Sequence, residues 1–180
     1  MSTELVDLFN EWISSLAEDA KTMRAALEAK ETPKEAKRFL TGGLSYLMRK
    51  IDIVPDYLTG VGLVDDAAVL RIAAGLAASS GLGDLDVEIS GKVEALGSST
   101  KHLETYLGEL FGKLEEFVKK MPDEVVRART ADKILDDKEA YQQFLRELGD
   151  EIDSYAPQTI TEPDRALREL KSFFKAKLDK

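Results

Sequence analysis

The sequence lacks cysteine, contains a single histidine and has no long hydrophobic run. Without cysteine, the 180-residue chain cannot form disulfides, thiolate nucleophiles or Cys-ligated zinc and iron–sulfur sites. The lone His102 excludes multi-histidine metal sites, and without a nucleophile partner it is more typical of a helix surface than of a catalytic base. The most apolar stretch, residues 67–82, is interrupted by Arg71 and by serines, so it falls short of the ~20 residues of a membrane span.

Basic residues are also under-represented. The chain has 25 Lys and Arg against 34 Asp and Glu, a net charge of −9, with 43% hydrophobic residues. This composition is typical of a globular protein with a charged surface, and the acidic balance argues against a nucleic-acid binder, whose surface is basic. The N-terminal residues include acids but no basic segment of the kind that begins a signal peptide, so we expect a cytoplasmic protein.

Proline is scarce too, and the five prolines divide the chain into helical segments. Apolar residues spaced by three and four predict a helix before Pro33, a second over about 33–50 and a third over about 65–80. The third is rich in alanine, which predicts close packing of a neighbouring helix. No run of alternating β-branched residues is present, so the predicted fold class is all-α, a helical bundle of five or six helices.

The second half of the chain carries the strongest periodicity. Apolar residues over 89–121 alternate by four and three, a seam typical of bundle packing, and predict a helix that is continuous from 101 to 121. Whether this helix continues through Gly97 is left open, because glycine weakens a helix interior. A second seam over 131–155 follows a short turn. The two seams together predict a long antiparallel helical hairpin.

These segments suggest two parts that pack as one compact unit. Residues 1–84 would form the N-terminal helix and a short helical hairpin, and residues 85–180 the long hairpin and a C-terminal helix. That last helix is locally basic and carries Phe173 and Phe174. A basic amphipathic helix suits a membrane surface or a partner, and it suits equally well packing on the protein's own acidic body.

The most distinctive text is YLMRKIDIVPDYLTGVGLVDDAAVL, residues 46–70. Pro55 ends the helix before it, so the aspartates on either side flank a turn rather than share a helix face. Two further aspartates open the next helix. The first is placed as an N-cap, and the second lies in the first turn, where the helix dipole stabilises a negative charge. The four candidate site residues are therefore Asp52, Asp56, Asp65 and Asp66.

Two interpretations of these carboxylates remain open. In the first they cap backbone N–H groups and form ion pairs with Arg49 or Arg71, which are near in sequence. In the second they converge on a hard cation such as Mg²⁺, Mn²⁺ or Ca²⁺, which prefers oxygen ligands. Water activated on such an ion would support phosphoester hydrolysis. Capping and ion pairing are the commoner use of aspartates at turns and helix starts.

The same segment resembles the YkvA-like family, a bacterial group of unknown function. The family pattern is a helix, an Ile-Asp-hydrophobic-Ile/Val-Pro-Asp turn, a glycine-containing apolar stretch and an Asp-Asp pair. The matching positions are Ile51, Asp52, Val54, Pro55, Asp56, Gly60, Gly62, Asp65 and Asp66, with Tyr46 and Leu47 upstream. The resemblance covers roughly residues 36–82 and implies a helical hairpin with an acidic loop, in a setting close to a membrane. It implies no reaction.

These observations favour a non-enzymatic helical interaction or scaffold protein. Its partner would be another protein, or a second copy of the chain that associates through the helical seams. The alternative is a divalent-metal-binding protein or metal-dependent hydrolase that uses Asp52, Asp56, Asp65 and Asp66. A second alternative is a protein of the membrane surface that binds through the basic last helix.

Overall fold

The structure, a computed structural model, describes residues 2–49, 52–55, 58, 60–156 and 158–179. These residues form nine α-helices and no β-strand, which confirms the all-α helical bundle, with more helices than the five or six predicted. The helices are α1 (Ser2–Glu28), α2 (Lys34–Tyr46), α3 (Val64–Ser79), α4 (Val87–Ser98), α5 (Lys101–Leu107), α6 (Glu109–Lys120), α7 (Ala131–Asp136), α8 (Lys138–Ser154) and α9 (Pro163–Leu178). A single 3₁₀ turn, Met121–Asp123, follows α6.

The first and third helices lie where the sequence predicts them, whereas α2 ends at Tyr46, before the predicted end near residue 50. Helix α2 packs along α3 as the predicted short hairpin. The two backbones approach closely, because a Cβ added to Gly43 of α2 would lie only 2.5 Å from the Cβ of Ala73. A second close crossing joins α3 to α4, where a Cβ on Gly97 would lie 2.5 Å from the Cα of Gly75. Small residues therefore set both helix-to-helix distances.

Helix α3 lies at the centre of the bundle. It contacts α1, α2, α4 and α6, and every residue from Val64 to Ala74 is buried. A helix that is apolar on all sides belongs in the interior. Nearly all of the described buried apolar residues form one continuous cluster with members in each of the nine helices; Ala131 and Ala140 are buried outside it. We call residues 51–63 the motif loop; it leads directly into α3 and so into this core.

The second half departs from the predicted long hairpin. The continuous helix predicted over 101–121 is wrong, because the chain turns at Gly108, whose φ of +60° is a conformation that side chains rarely adopt. Helix α4 runs through Gly97 but ends at Ser98, so three helices, α4, α5 and α6, span the seam. The predicted antiparallel pairing is wrong as well: α6 packs mainly against α9 and α3, whereas α8 packs against α7 and α1. Each seam is buried or half-buried, but against helices other than the predicted partner.

The second seam is itself divided at the position where Lys138 interrupts its apolar pattern. Asp137 ends α7 and caps α8, because its Oδ1 accepts hydrogen bonds from the backbone N–H groups of Glu139 and Ala140 at 2.9 and 3.1 Å. Of the helices described, none combines the length and the apolar character that crossing a bilayer requires.

Candidate functional site

The motif loop is held by one buried carboxylate. Asp65, in the first turn of α3, is completely inaccessible to solvent. Its Oδ2 accepts hydrogen bonds from the hydroxyl of Tyr46 at 2.6 Å and from the backbone N–H groups of Ile53 and Val54, both at 3.0 Å. The Tyr46 oxygen also accepts the Ile53 N–H at 2.8 Å. Asp65 thus links the end of α2, the loop and the start of α3.

This arrangement corrects the expected N-cap. Helix α3 begins one residue earlier, at Val64, and its N-cap residue Leu63 has no capping side chain. Asp65 therefore lies inside the helix, and the N–H groups that it binds belong to the loop rather than to its own helix. Asp65 thus binds backbone N–H groups, as an N-cap would, but these are the N–H groups of Ile53 and Val54 in the loop.

Burial governs the electrostatics of Asp65. Removal from water raises the pKa of Asp65 to about 7, and the nearby charge of Asp52 adds to the increase, although the hydrogen bonds from Tyr46 and Val54 oppose it. The same burial, followed by the charge of Asp65, raises the pKa of Tyr46 well above its ordinary value. The phenol therefore stays protonated and remains a hydrogen-bond donor.

Two of the other three candidate carboxylates, Asp66 and Asp52, lie within the described residues. Asp66 is 4% exposed, and its Oδ2 accepts a hydrogen bond from the hydroxyl of Tyr155 at 3.2 Å. Asp52 is half-buried at the start of the described part of the loop. Asp56 lies outside the described residues. Within the described part of the chain, no group of three or more acidic or histidine side chains is arranged to hold a metal ion.

The two neighbouring arginines form ion pairs with distant carboxylates. Arg49 contacts Glu124 at 2.6 Å, and its guanidinium lies 5.7 Å from the centre of the Tyr46 ring. Arg71 contacts Asp19 at 2.8 Å, with the two side chains 5% and 14% exposed. The Arg71 guanidinium also lies 4.3 Å from the ring centre of Trp12, and burial lowers the pKa of Arg71. Arg71 therefore joins α3 to α1 inside the bundle.

The outer side of the motif loop is covered by the segment between α8 and α9. The backbone N–H of Gly60 donates to Oε1 of Gln158 at 2.9 Å, and the N–H of Ile160 donates to Oδ1 of Asn10 at 2.8 Å. Gly60 has a φ of +90°, and a Cβ there would lie 2.9 Å from the carbonyl oxygen of Thr159. The loop is thus bound on its inner side by Asp65 and on its outer side by this segment.

A different feature faces solvent. A groove of about 890 Å³ runs between α1 and α5 and reaches α9 at Leu167. Tyr106 closes its inner end, because its ring packs edge-on against Phe9 at 5.9 Å and its hydroxyl donates to the backbone oxygen of Leu167. The groove has an apolar floor and an acidic edge. Its lining residues are Glu4, Leu5, Asp7, Leu8, Glu11, His102, Thr105, Tyr106 and Leu167.

Several residues of these sites carry no sequence signal. His102 is exposed, as expected, but its place in a groove depends on the turn at Gly108 that was not predicted. Asp19 and Tyr155 reach the motif helix from α1 and from the end of α8, far away in sequence. Tyr46 alone could have been singled out, because it stands in the motif and a buried tyrosine hydroxyl needs a partner.

The comparisons with known proteins identify one segment. Residues 36–72 match the model of a family described as "Protein of unknown function (DUF1232)". The match covers most of α2, the motif loop and the first half of α3, and it confirms the resemblance to a family without an assigned activity, consistent with the YkvA-like pattern. Searches among curated proteins and among solved structures gave no match to the chain.

Proposed function

We propose that this chain is a non-enzymatic helical interaction protein, and that the groove between α1 and α5 is its binding surface. The observation that carries the proposal is the contrast between the two sites. The motif carboxylate Asp65 is sealed from solvent and holds the loop, whereas the groove is open and combines apolar side chains with charge. Half-buried Leu5, Leu8 and Leu167 give a partner apolar surface to cover.

The motif supports this proposal through its structural role. A catalytic carboxylate must reach a substrate, and a metal ligand needs an oxygen with room for the ion. Asp65 Oδ2 already accepts three hydrogen bonds in a site without solvent access. The other oxygen, Oδ1, has no hydrogen-bond partner among the described residues but is buried as well, so an ion could not reach it without opening the site, which is why the metal-dependent alternative comes second.

In vivo photo-crosslinking at the groove tests the proposal. A photo-reactive amino acid replaces Thr105, an exposed residue of the groove, or in the control Gln142, an exposed residue of α8. After irradiation in living cells, the adducts are identified by mass spectrometry. We expect one discrete adduct from position 105 that position 142 does not form, and its loss when Leu8→Glu is added. Equal adducts from both positions, or none from position 105, would contradict the proposal.

Flotation of the full chain with anionic vesicles tests the membrane-surface alternative. The structural feature that favours it is the set of exposed basic residues of α9, and Arg165 among them is already paired with Glu162 and Glu169. We expect the protein to stay in the dense fractions at low salt. Recovery in the vesicle fraction that is lost on charge reversal in α9 would favour the membrane surface instead.

A further inference from the structure

The groove has an acidic edge on α1. Asp7 and Glu11 are exposed and, within the described part of the chain, form no ion pair. Together with Glu4 they are spaced by three and four residues, so they follow one line along the helix. We call Glu4, Asp7 and Glu11 the acidic stripe. All three line the groove, beside the half-buried Leu5 and Leu8.

A basic edge lies on α9. Arg168, Lys171 and Lys175 are exposed and are also spaced by three and four residues, so they share one flank of the helix. We call them the basic stripe. This flank includes Leu167, which lines the groove, and it carries one acid, Asp164, in the first turn.

Contacts with Tyr106 place Lys171, the middle residue of the basic stripe, beside the groove. The Nζ of Lys171 donates to the backbone oxygen of Tyr106 at 3.1 Å and lies 5.6 Å from the centre of its ring. That ring is part of the groove lining. Arg168 has no ion-pair partner among the described residues, so its charge remains available to a second molecule. An apolar groove is therefore flanked by acidic charge on one side and basic charge on the other.

We infer that the occupant of this groove is a second copy of the same chain, in a two-fold symmetric dimer. The inference rests on the proposed function, which it makes specific. If the two-fold axis runs along the groove, rotation places the acidic stripe of each copy opposite the basic stripe of the other, while the apolar floors meet at the axis. Buried leucine and tyrosine surface supplies affinity, and the stripes supply orientation and register.

Charge complementarity distinguishes this occupant from other partners. A basic peptide would match the acidic stripe but would be repelled by the basic one, and an acidic peptide would meet the opposite problem. A second copy satisfies both edges at once, although each copy carries a net charge of −9. The local match of opposite charges therefore has to outweigh the general repulsion between the molecules.

Charge-reversal variants of the full chain test the inference by light scattering and sedimentation. One variant carries Asp7→Lys and Glu11→Lys, and the other carries Arg168→Glu and Lys175→Glu. We expect the wild type to dimerise and each variant alone to self-associate at least about tenfold more weakly, because like charges then face each other. Mixed in equal amounts, the two variants form a heterodimer, since each basic edge again meets an acidic one. Both variants remain acidic overall, so general attraction cannot explain that recovery.

The outcomes separate the inference from the proposed function. All four exchanged residues are exposed, and far-UV circular dichroism with urea unfolding verifies that the variants keep the wild-type fold. A monomeric wild type at high concentration, or variants that dimerise as the wild type does, overturns the dimer. If the wild type is monomeric but position 105 still cross-links to a different, identified protein, the groove remains an interaction surface and only its occupant is wrong. If no adduct forms at position 105 either, both proposals fail.

Discussion

Replacing Asp65 by asparagine should remove a specific part of the pH dependence of stability. Asparagine has nearly the same shape and keeps an acceptor oxygen for the hydroxyl of Tyr46 and the two loop N–H groups. It cannot ionise. Burial raises the pKa of Asp65 from an ordinary 3.8 to about 7, so in the wild type the unfolded chain loses this proton at a lower pH than the folded protein.

The direction and size of the effect follow from that difference. A pKa raised by folding gives stability that is complete below the unfolded-state pKa and is lost as the pH rises through the folded-state pKa. Between pH 5 and pH 7 each pH unit removes about 1.4 kcal/mol, so the wild type should lose about 3 kcal/mol more than Asp65→Asn on going from pH 5 to pH 8. Comparing the two proteins cancels the contributions of the other titrating groups.

Urea unfolding at several pH values measures this difference. Trp12 is the single tryptophan and is 3% exposed, so its fluorescence reports on the core. Asp84→Asn, at an exposed loop position, is the matched control for removing one carboxylate. Tyr46→Phe supplies an internal check: it removes a hydrogen bond that lowers the pKa of Asp65, so the loss of stability should move to higher pH. If the wild type and Asp65→Asn lose stability in parallel as the pH rises, the conclusion that Asp65 is a buried carboxyl group with a raised pKa is refuted.

Three further outcomes are expected. Gly97→Ala should lower the unfolding free energy by about 1–3 kcal/mol, because the added Cβ meets the α3 backbone. The control Gly91→Ala, which has open space around it, should raise the unfolding free energy by up to about 1 kcal/mol. Equal effects of the two substitutions would contradict the close crossing. Arg71→Met should cost about 3 kcal/mol, because it leaves the largely buried Asp19 without its ion-pair partner. Adding Asp19→Leu should recover part of the loss in urea titrations, and additive losses would argue against coupling. Calorimetric titration of metal-stripped protein with Mg²⁺, Mn²⁺ or Ca²⁺ should give no saturable heat, and a heat abolished by Asp65→Asn would restore the metal hypothesis.

The helices of the first half could be predicted because local signals and burial agree there. Prolines separate the segments, and within each segment the apolar or alanine-rich pattern is typical of a buried helix, so α1, α2 and α3 can be located from the sequence. The motif loop could be located for the same reason. The hydrogen bonds of Asp65 could not, because a sequence does not indicate which of many nearby N–H groups a buried carboxylate will accept.

The second half shows the limit of a periodic pattern. An unbroken seam over 89–121 indicates that one face of the chain is buried, but it does not indicate which helix covers it. At Gly108 a single residue with positive φ redirects the chain while the apolar spacing continues undisturbed. The partners of the motif helix were equally hidden, because Asp19 lies 52 residues from Arg71 and Tyr155 lies 89 residues from Asp66.

The central position of α3 has a consequence for how the family segment can be used by evolution or by an engineer. Residues 36–72 contain the first half of α3, the least exposed helix of the bundle, so excised from the chain they would present to water the surface that α1, α4 and α6 now cover. The segment is therefore a hydrophobic core that needs other helices to cover it. A protein built around it must supply covering helices of its own, and the outer faces of those helices are where one such protein can differ in purpose from the next.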